Sequence, residues 1–346
     1  MPFTLSVCYT IVMTFSEIIG QDRPISILQS SLRSGDISHA YLFYGPEGIG
    51  KRLTALNFVK SLNCLSLDDD SCGECLYCQK FENGNFPDFS MVEPMDGSIK
   101  IEVIRELQKK ISYRPYEGKF KVVLMHGVEE MTLGAATSFL KTLEEPTDAT
   151  IFILVCHNFN LLLPTTISRC HKIQFNLIPV ETIKNILIEK NQMTPEDAHL
   201  MASYSQGRLG KALEMDISDV IKNRDEILNL IQSISFDEID LIFKKNKTWS
   251  SDSKNLEIIL SAILNITRDL AVLKATKNEK LIANLDVKDK LIPLIRVSNI
   301  NQFILLFYAV EKTIRHLKRN INAQLLLDAL MVKMCSVFER GNHGKH

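Results

Sequence analysis

No uninterrupted apolar run in this sequence reaches the roughly 18–20 residues needed for a helix to cross a bilayer. Charge of one sign is not in excess either. Forty basic residues stand against 41 acidic ones, a formal net of -1, so no broad basic field is available to grip nucleic acid unaided. Glycine and proline are sparse, at 15 and 11 of 346 residues, which excludes collagen-like and low-complexity chains. There is no internal repeat. Residues 1–13 are mildly apolar but have no basic n-region and no small-residue cleavage site, so a secretory signal is not expected. Met1–Val12 is expected to be an extension without fixed structure ahead of a start at Met13, which N-terminal sequencing would test.

What is present is an ordinary globular composition, 45% hydrophobic and 23% charged, long enough for two or three domains. Four of the eight cysteines crowd between positions 64 and 78 and the rest are scattered. That distribution suits a reducing, cytoplasmic compartment with one metal site better than a disulfide framework.

Strands alternate with helices to about residue 178, which predicts an α/β domain with a parallel sheet. Strands are expected at Ala40–Tyr44, Asp88–Glu93, Lys121–Met125, Thr150–Cys156 and Lys172–Phe175, the third and fourth reading as fully buried. Helices are expected at about Gly50–Leu62, Ile101–Ile111 and Leu133–Leu143. Beyond Pro179 only helical patterns occur, interrupted by an expected polar loop at Lys244–Lys254.

Gly45-Pro46-Glu47-Gly48-Ile49-Gly50-Lys51 matches a phosphate-cradling P-loop between a strand and a helix. Its glycines let backbone N–H groups converge on phosphate oxygens, and Lys51 adds a point charge. The next position should hold a Ser or Thr hydroxyl for Mg²⁺, but Arg52 stands there. The Lys121–Met125 strand should run into an acidic pair that completes the metal site and activates water. His126 and Gly127 occupy those positions, and Glu129 and Glu130, two to three residues late, read as a solvated helix start. Little or no ATP hydrolysis is therefore expected.

Cys64-x7-Cys72-x2-Cys75-x2-Cys78 is a zinc spacing. Four thiolates can surround one tetrahedral ion with Zn–S bonds of about 2.3 Å, leaving no open position, so the zinc would be structural. Arg169, in Ser168-Arg169-Cys170, could reach a neighbouring subunit's γ-phosphate as an arginine finger, although these three residues alone favour a surface or salt-bridged arginine. Cys170 reads as buried packing, and His157 and His171 have no partner spacing that argues for catalysis.

In order along the chain, IIGQD, HAYLFYGPEGIGK, the four-cysteine module, FLKTLEEP at Phe139–Pro146, LLPTTISRC at Leu162–Cys170, GRLGKAL at Gly207–Leu213 and NINAQLLLDAL at Asn320–Leu330 resemble the clamp-loader branch of the AAA+ family. The resemblance implies an AAA+ domain over 13–178, with the zinc module at 64–78 inserted. It further implies a helical lid over 179–219 and an all-α collar over 220–346. It also implies a place in a five-subunit ring with γ/τ and δ chains that opens a sliding clamp and places it on primed DNA. By the same resemblance this chain is a non-motor member, Arg169 is a finger offered to ATP on the adjacent subunit, and Gly20 and Gln21 lie near a vestigial adenine pocket. The rival reading is an active γ/τ-type ATPase.

Overall fold

The computed structural model describes residues 14–147, 149–317 and 321–339; the expected extension Met1–Val12 lies outside them. The chain divides into two compact units. One comprises the residues up to Pro179 together with Arg208–Gly210, the other Val180–Gly207 with the residues from Lys211 onward.

The first unit runs α1 (Asp22–Ser34), β1 (Ala40–Tyr44), α2 (Lys51–Leu62), α3 (Leu76–Glu82), β2 (Phe89–Val92), α4 (Ile101–Ile111), β3 (Lys121–His126), α5 (Leu133–Glu144), β4 (Thr150–Cys156), α6 (Pro164–Ile167) and β5 (His171–Gln174). All five strands are parallel, in the order β2-β3-β4-β1-β5. The expected α/β class holds, and the strand ends differ from expectation by a residue at most.

β4 is buried at every position, as its unbroken Thr-Ile-Phe-Ile-Leu-Val-Cys run requires when helices cover both faces. Successive side chains point to opposite faces. Tyr41, Phe43, Ile151, Ile153 and Val155 therefore enter one core with Leu28, Ala55 and Phe58 of α1 and α2. Ala40, Leu42, Phe152 and Leu154 enter the other, with Ile104, Leu107 and Ile111 of α4 and Ala135, Phe139 and Leu143 of α5. The latter two sets recur at three-to-four-residue spacing, so each helix turns one apolar stripe to the sheet.

The second unit is all helical: α7 (Val180–Asn191), α8 (Pro195–Ser205), α9 (Leu209–Glu214), α10 (Ile217–Ser233), α11 (Ile239–Ser250), α12 (Ser253–Thr276), α13 (Lys288–Leu294), α14 (Ile300–Leu317) and α15 (Ala323–Phe338). The first two residues of α9 belong with the first unit. The expected loop at Lys244–Lys254 is corrected: most of it is the end of α11, and only a turn at Ser251-Asp252 separates it from α12. Polar residues there misled the pattern. Ile242, Asn246 and Trp249 recur on one buried face. The Asn246 amide donates to Asp328 at 2.8 Å, and Lys245 pairs with Glu226 while lying 5.1 Å from the Trp249 ring centre. In α12, the buried Asp269 accepts from the Ala283 and Asn284 N–H groups, 2.9 Å each, and so fixes the turn before α13. Among the described residues no helix is long and apolar enough to cross a membrane.

Candidate functional site

The glycine loop lies where ligands bind in open parallel sheets, beyond the carboxyl end of β1. Gly45 adopts φ +144°, and a Cβ there would stand 2.4 Å from the Phe175 carbonyl oxygen, so only glycine allows the loop to pass β5. Gly50 closes the loop in a left-handed conformation at the N-terminus of α2. Gly48 lies between these two glycines, and its carbonyl accepts from Gly210 N–H at 2.9 Å.

Lys51 is only 3% exposed. Its ammonium donates to the Gly45 carbonyl at 2.7 Å and to the Pro46 carbonyl, so the lysine is folded onto its own loop. Burial, partly opposed by Cys156 and Glu129, brings its pKa down to about 8. Arg52, where the metal-ligating hydroxyl was expected, pairs with Glu93 at 2.9 Å and reaches Met91 Sδ at 3.8 Å. Gln21 is buried, and its amide is committed to backbone: Nε2 donates to Ile49 (3.1 Å) and Asn176 (2.8 Å), and Oε1 accepts from Asn176 N–H.

Glu129 is not a solvated helix start. Its Oε1 accepts from the N–H groups of His157 (2.6 Å) and Asn158 (3.1 Å), tying the turn after β3 to the end of β4. Glu130 is exposed. The rings of His126 and His157 meet edge to face, 5.2 Å between centres. Burial lowers the pKa of both, reinforced by Arg52 at His126 and by Lys51 at His157. The Glu129 contact and the histidine pair could not be read from sequence, because about 30 residues separate partners that only the sheet order brings together. Burial lifts the Cys156 and Cys170 thiols to about 12, so neither is a ready nucleophile and Cys170 is packing.

Arg169 follows α6 at the surface. Its guanidinium donates to the Thr165 carbonyl at 2.8 Å and pairs with Glu144 Oε1 at 2.6 Å.

Cys64, Cys72, Cys75 and Cys78 come together, their sulfurs all within 4.8 Å of one another. A tetrahedron with Zn–S bonds of about 2.3 Å needs S···S separations of about 3.8 Å, and Cys72 and Cys78 already lie 4.0 Å apart. Burial opposes the Cys72 thiolate, but N–H groups from Cys75 and Glu74 and the side chains of Ser66 and Cys64 outweigh it and hold the thiol at about 6. Burial pushes the Cys78 thiol up. A soft four-sulfur set on a loop fits a zinc ion, which would bring in all four as thiolates and cross-link the loop to α3.

A glycine-rich strand-to-helix loop at the carboxyl edge of a parallel sheet, with a buried lysine opening the helix, defines a P-loop α/β protein. The sequence profile of the family described as "DNA polymerase III, delta subunit" matches residues 20–179. The chain is 30% identical over 321 residues to DNA polymerase III subunit delta′ of Bacillus subtilis, covering 91% of this chain and 96% of that one. It is 31% identical over 293 residues to subunit gamma of Buchnera aphidicola, covering 78% of each. With subunit tau of Bacillus subtilis it shares 32% over 226 residues, 62% of this chain and 40% of the relative. The chain belongs to the DNA polymerase III clamp-loader family.

Proposed function

We propose that this protein is a delta′-type, non-motor subunit of a bacterial clamp loader. It joins gamma/tau and delta chains in a five-subunit ring that places the sliding clamp on primed DNA. In this reading residues 179–219 serve as a lid and 220–346 as the collar that holds the ring. Zinc at Cys64, Cys72, Cys75 and Cys78 is structural. Gly45, Gly48, Gly50, Lys51 and Gln21 are the remnant of a nucleotide site whose Mg²⁺ ligands are gone, and Arg169 acts in trans on ATP held by the adjacent subunit.

The observation that carries this reading is Arg52 paired with Glu93 at the metal-ligand position. A guanidinium cannot ligate Mg²⁺, and this one is committed to the Glu93 carboxylate. Without the metal, neither charge neutralisation at the β- and γ-phosphates nor an oriented water is available. The end-to-end likeness to a delta′ subunit supports the same assignment.

An active gamma/tau-type motor is the second reading, favoured by the comparable identity to gamma and tau subunits. Purified chain alone should hydrolyse ATP far below about 1 s⁻¹, the lower range of ordinary enzymes. Mixed with gamma/tau and delta chains of the same organism, it should enter a complex whose mass includes one copy and whose ATPase exceeds that of gamma/tau alone. Turnover at or above that rate by the isolated chain identifies a motor instead.

A further inference from the structure

Between Cys64 and Cys72 the chain has no regular structure, yet it is anchored at two adjacent positions, Asp69 and Asp70. The Asp69 carboxylate pairs with Arg33 of α1 at 2.8 Å. Asp70 accepts from the Phe15 N–H at 3.0 Å and from the Asn57 side-chain amide of α2 at 2.8 Å. Ser71, fully buried, donates its hydroxyl to the same Asn57 amide oxygen at 2.7 Å and its N–H to Asp70. Asn57 and Ser71 thus lock Asp70 against the P-loop helix, two residues ahead of Cys72.

On its other side Asp70 holds residues 14–21, the first of the described residues. Phe15 and Ile18 are buried in the core shared with α1 and α2, and Gln21 ends the segment as the bridge to Ile49 of the P-loop and Asn176.

We propose that Asp70 is a positioning residue through which metal at the four cysteines holds residues 14–21 against the P-loop. With metal bound, Cys72 is fixed, so Asp70 and Ser71 present their acceptors at one place. Without it, a loop of no regular secondary structure gains conformational freedom, and Asp70 must be ordered again each time it binds Phe15 N–H. The coupling is reciprocal: the same contact raises metal affinity by the factor by which metal stabilises the segment.

The test is amide hydrogen exchange read by mass spectrometry on the full chain, zinc-loaded and chelator-stripped. It is paired with zinc release to a chromophoric chelator. Stripping should speed exchange of peptides covering 14–21 by roughly tenfold, the scale of one hydrogen bond to a charged acceptor, while β3 and β4 stay protected. Zinc-loaded Asp70→Asn should speed exchange of 14–21 in the same way with one equivalent of zinc still bound, and should yield zinc to the chelator more readily. Unchanged exchange of 14–21 on stripping overturns the proposal. Should stripping open the whole sheet, the zinc-loaded variant decides: exchange of 14–21 equal to wild type overturns it, and faster exchange with β3 and β4 protected supports it. Loss of clamp-loading activity plays no part in this readout, so failure of the functional assignment leaves the result interpretable.

Discussion

Arg169 and Glu144 form an ion pair at 2.6 Å across the end of α5 and the turn after α6, with both side chains partly in water. An exposed pair of this kind contributes between zero and about 1 kcal/mol. A finger offered to a neighbour must leave Glu144, and that weak hold makes the exchange inexpensive. Arg169→Ala should therefore unfold at nearly the wild-type temperature and lower the ATPase of the assembled complex by at least about tenfold. Equal turnover in the variant complex removes the trans role.

Lys51 makes the stability of the first unit depend on alkaline pH. Its folded pKa of about 8 lies below its ordinary 10.5, so between those values the unfolded chain binds more protons than the folded one. Stability from this group therefore rises as pH climbs from 8 to 10.5, and by about 3 kcal/mol at most. Urea titrations of wild type and Lys51→Met should show wild type gaining on the variant over that window. A difference independent of pH would mean that Lys51 is not desolvated.

Gly45→Ala should be among the costliest single-methyl changes in the protein. The new Cβ would sit 2.4 Å from a backbone carbonyl, and the φ of +144° disfavours any side chain. Neither β1 nor β5 can shift without breaking the ladder that joins Tyr41–Tyr44 to His171–Gln174. We expect a loss of at least about 2 kcal/mol by chemical denaturation. Gly35→Ala, where a Cβ meets nothing within 4 Å, is the comparison for positive φ alone.

The cysteine cluster should hold one equivalent of zinc by elemental analysis. Cys75→Ser should weaken binding sharply, because a hydroxyl replaces one of four thiolates. Cys335→Ser, in the all-helical unit and not a member of the cluster, should leave zinc content unchanged. Wild-type protein purified without zinc supplementation that carries no metal would refute the structural-zinc reading.

Trp249→Ala tests the segment that the polar pattern obscured. If α11 is held by Ile242, Asn246 and Trp249, removing the indole should cost about 3–5 kcal/mol, the range for a buried aromatic. An exposed loop would lose almost nothing.

Much of this protein follows from local chemistry alone. Apolar runs with β-branched residues located β3 and β4, because a strand buried on both faces must be apolar throughout, and the aromatic-rich run ending at Gly45 and Pro46 located β1. The P-loop and the cysteine module were legible because each is continuous in sequence, its spacing dictated by a phosphate or an ion. Lys244–Lys254 was misread, since a helix with a single buried stripe can be polar everywhere else and Trp249 alone does not reveal it. The surroundings of the site lay beyond sequence. Glu129 under β4, His126 against His157, and Asp70 on Phe15 are partners 28 to 55 residues apart. Parallel sheet order and loop packing bring such groups together, and neither leaves a periodic trace in the chain. Residue type at a position set what chemistry was possible, and tertiary contact decided which groups meet.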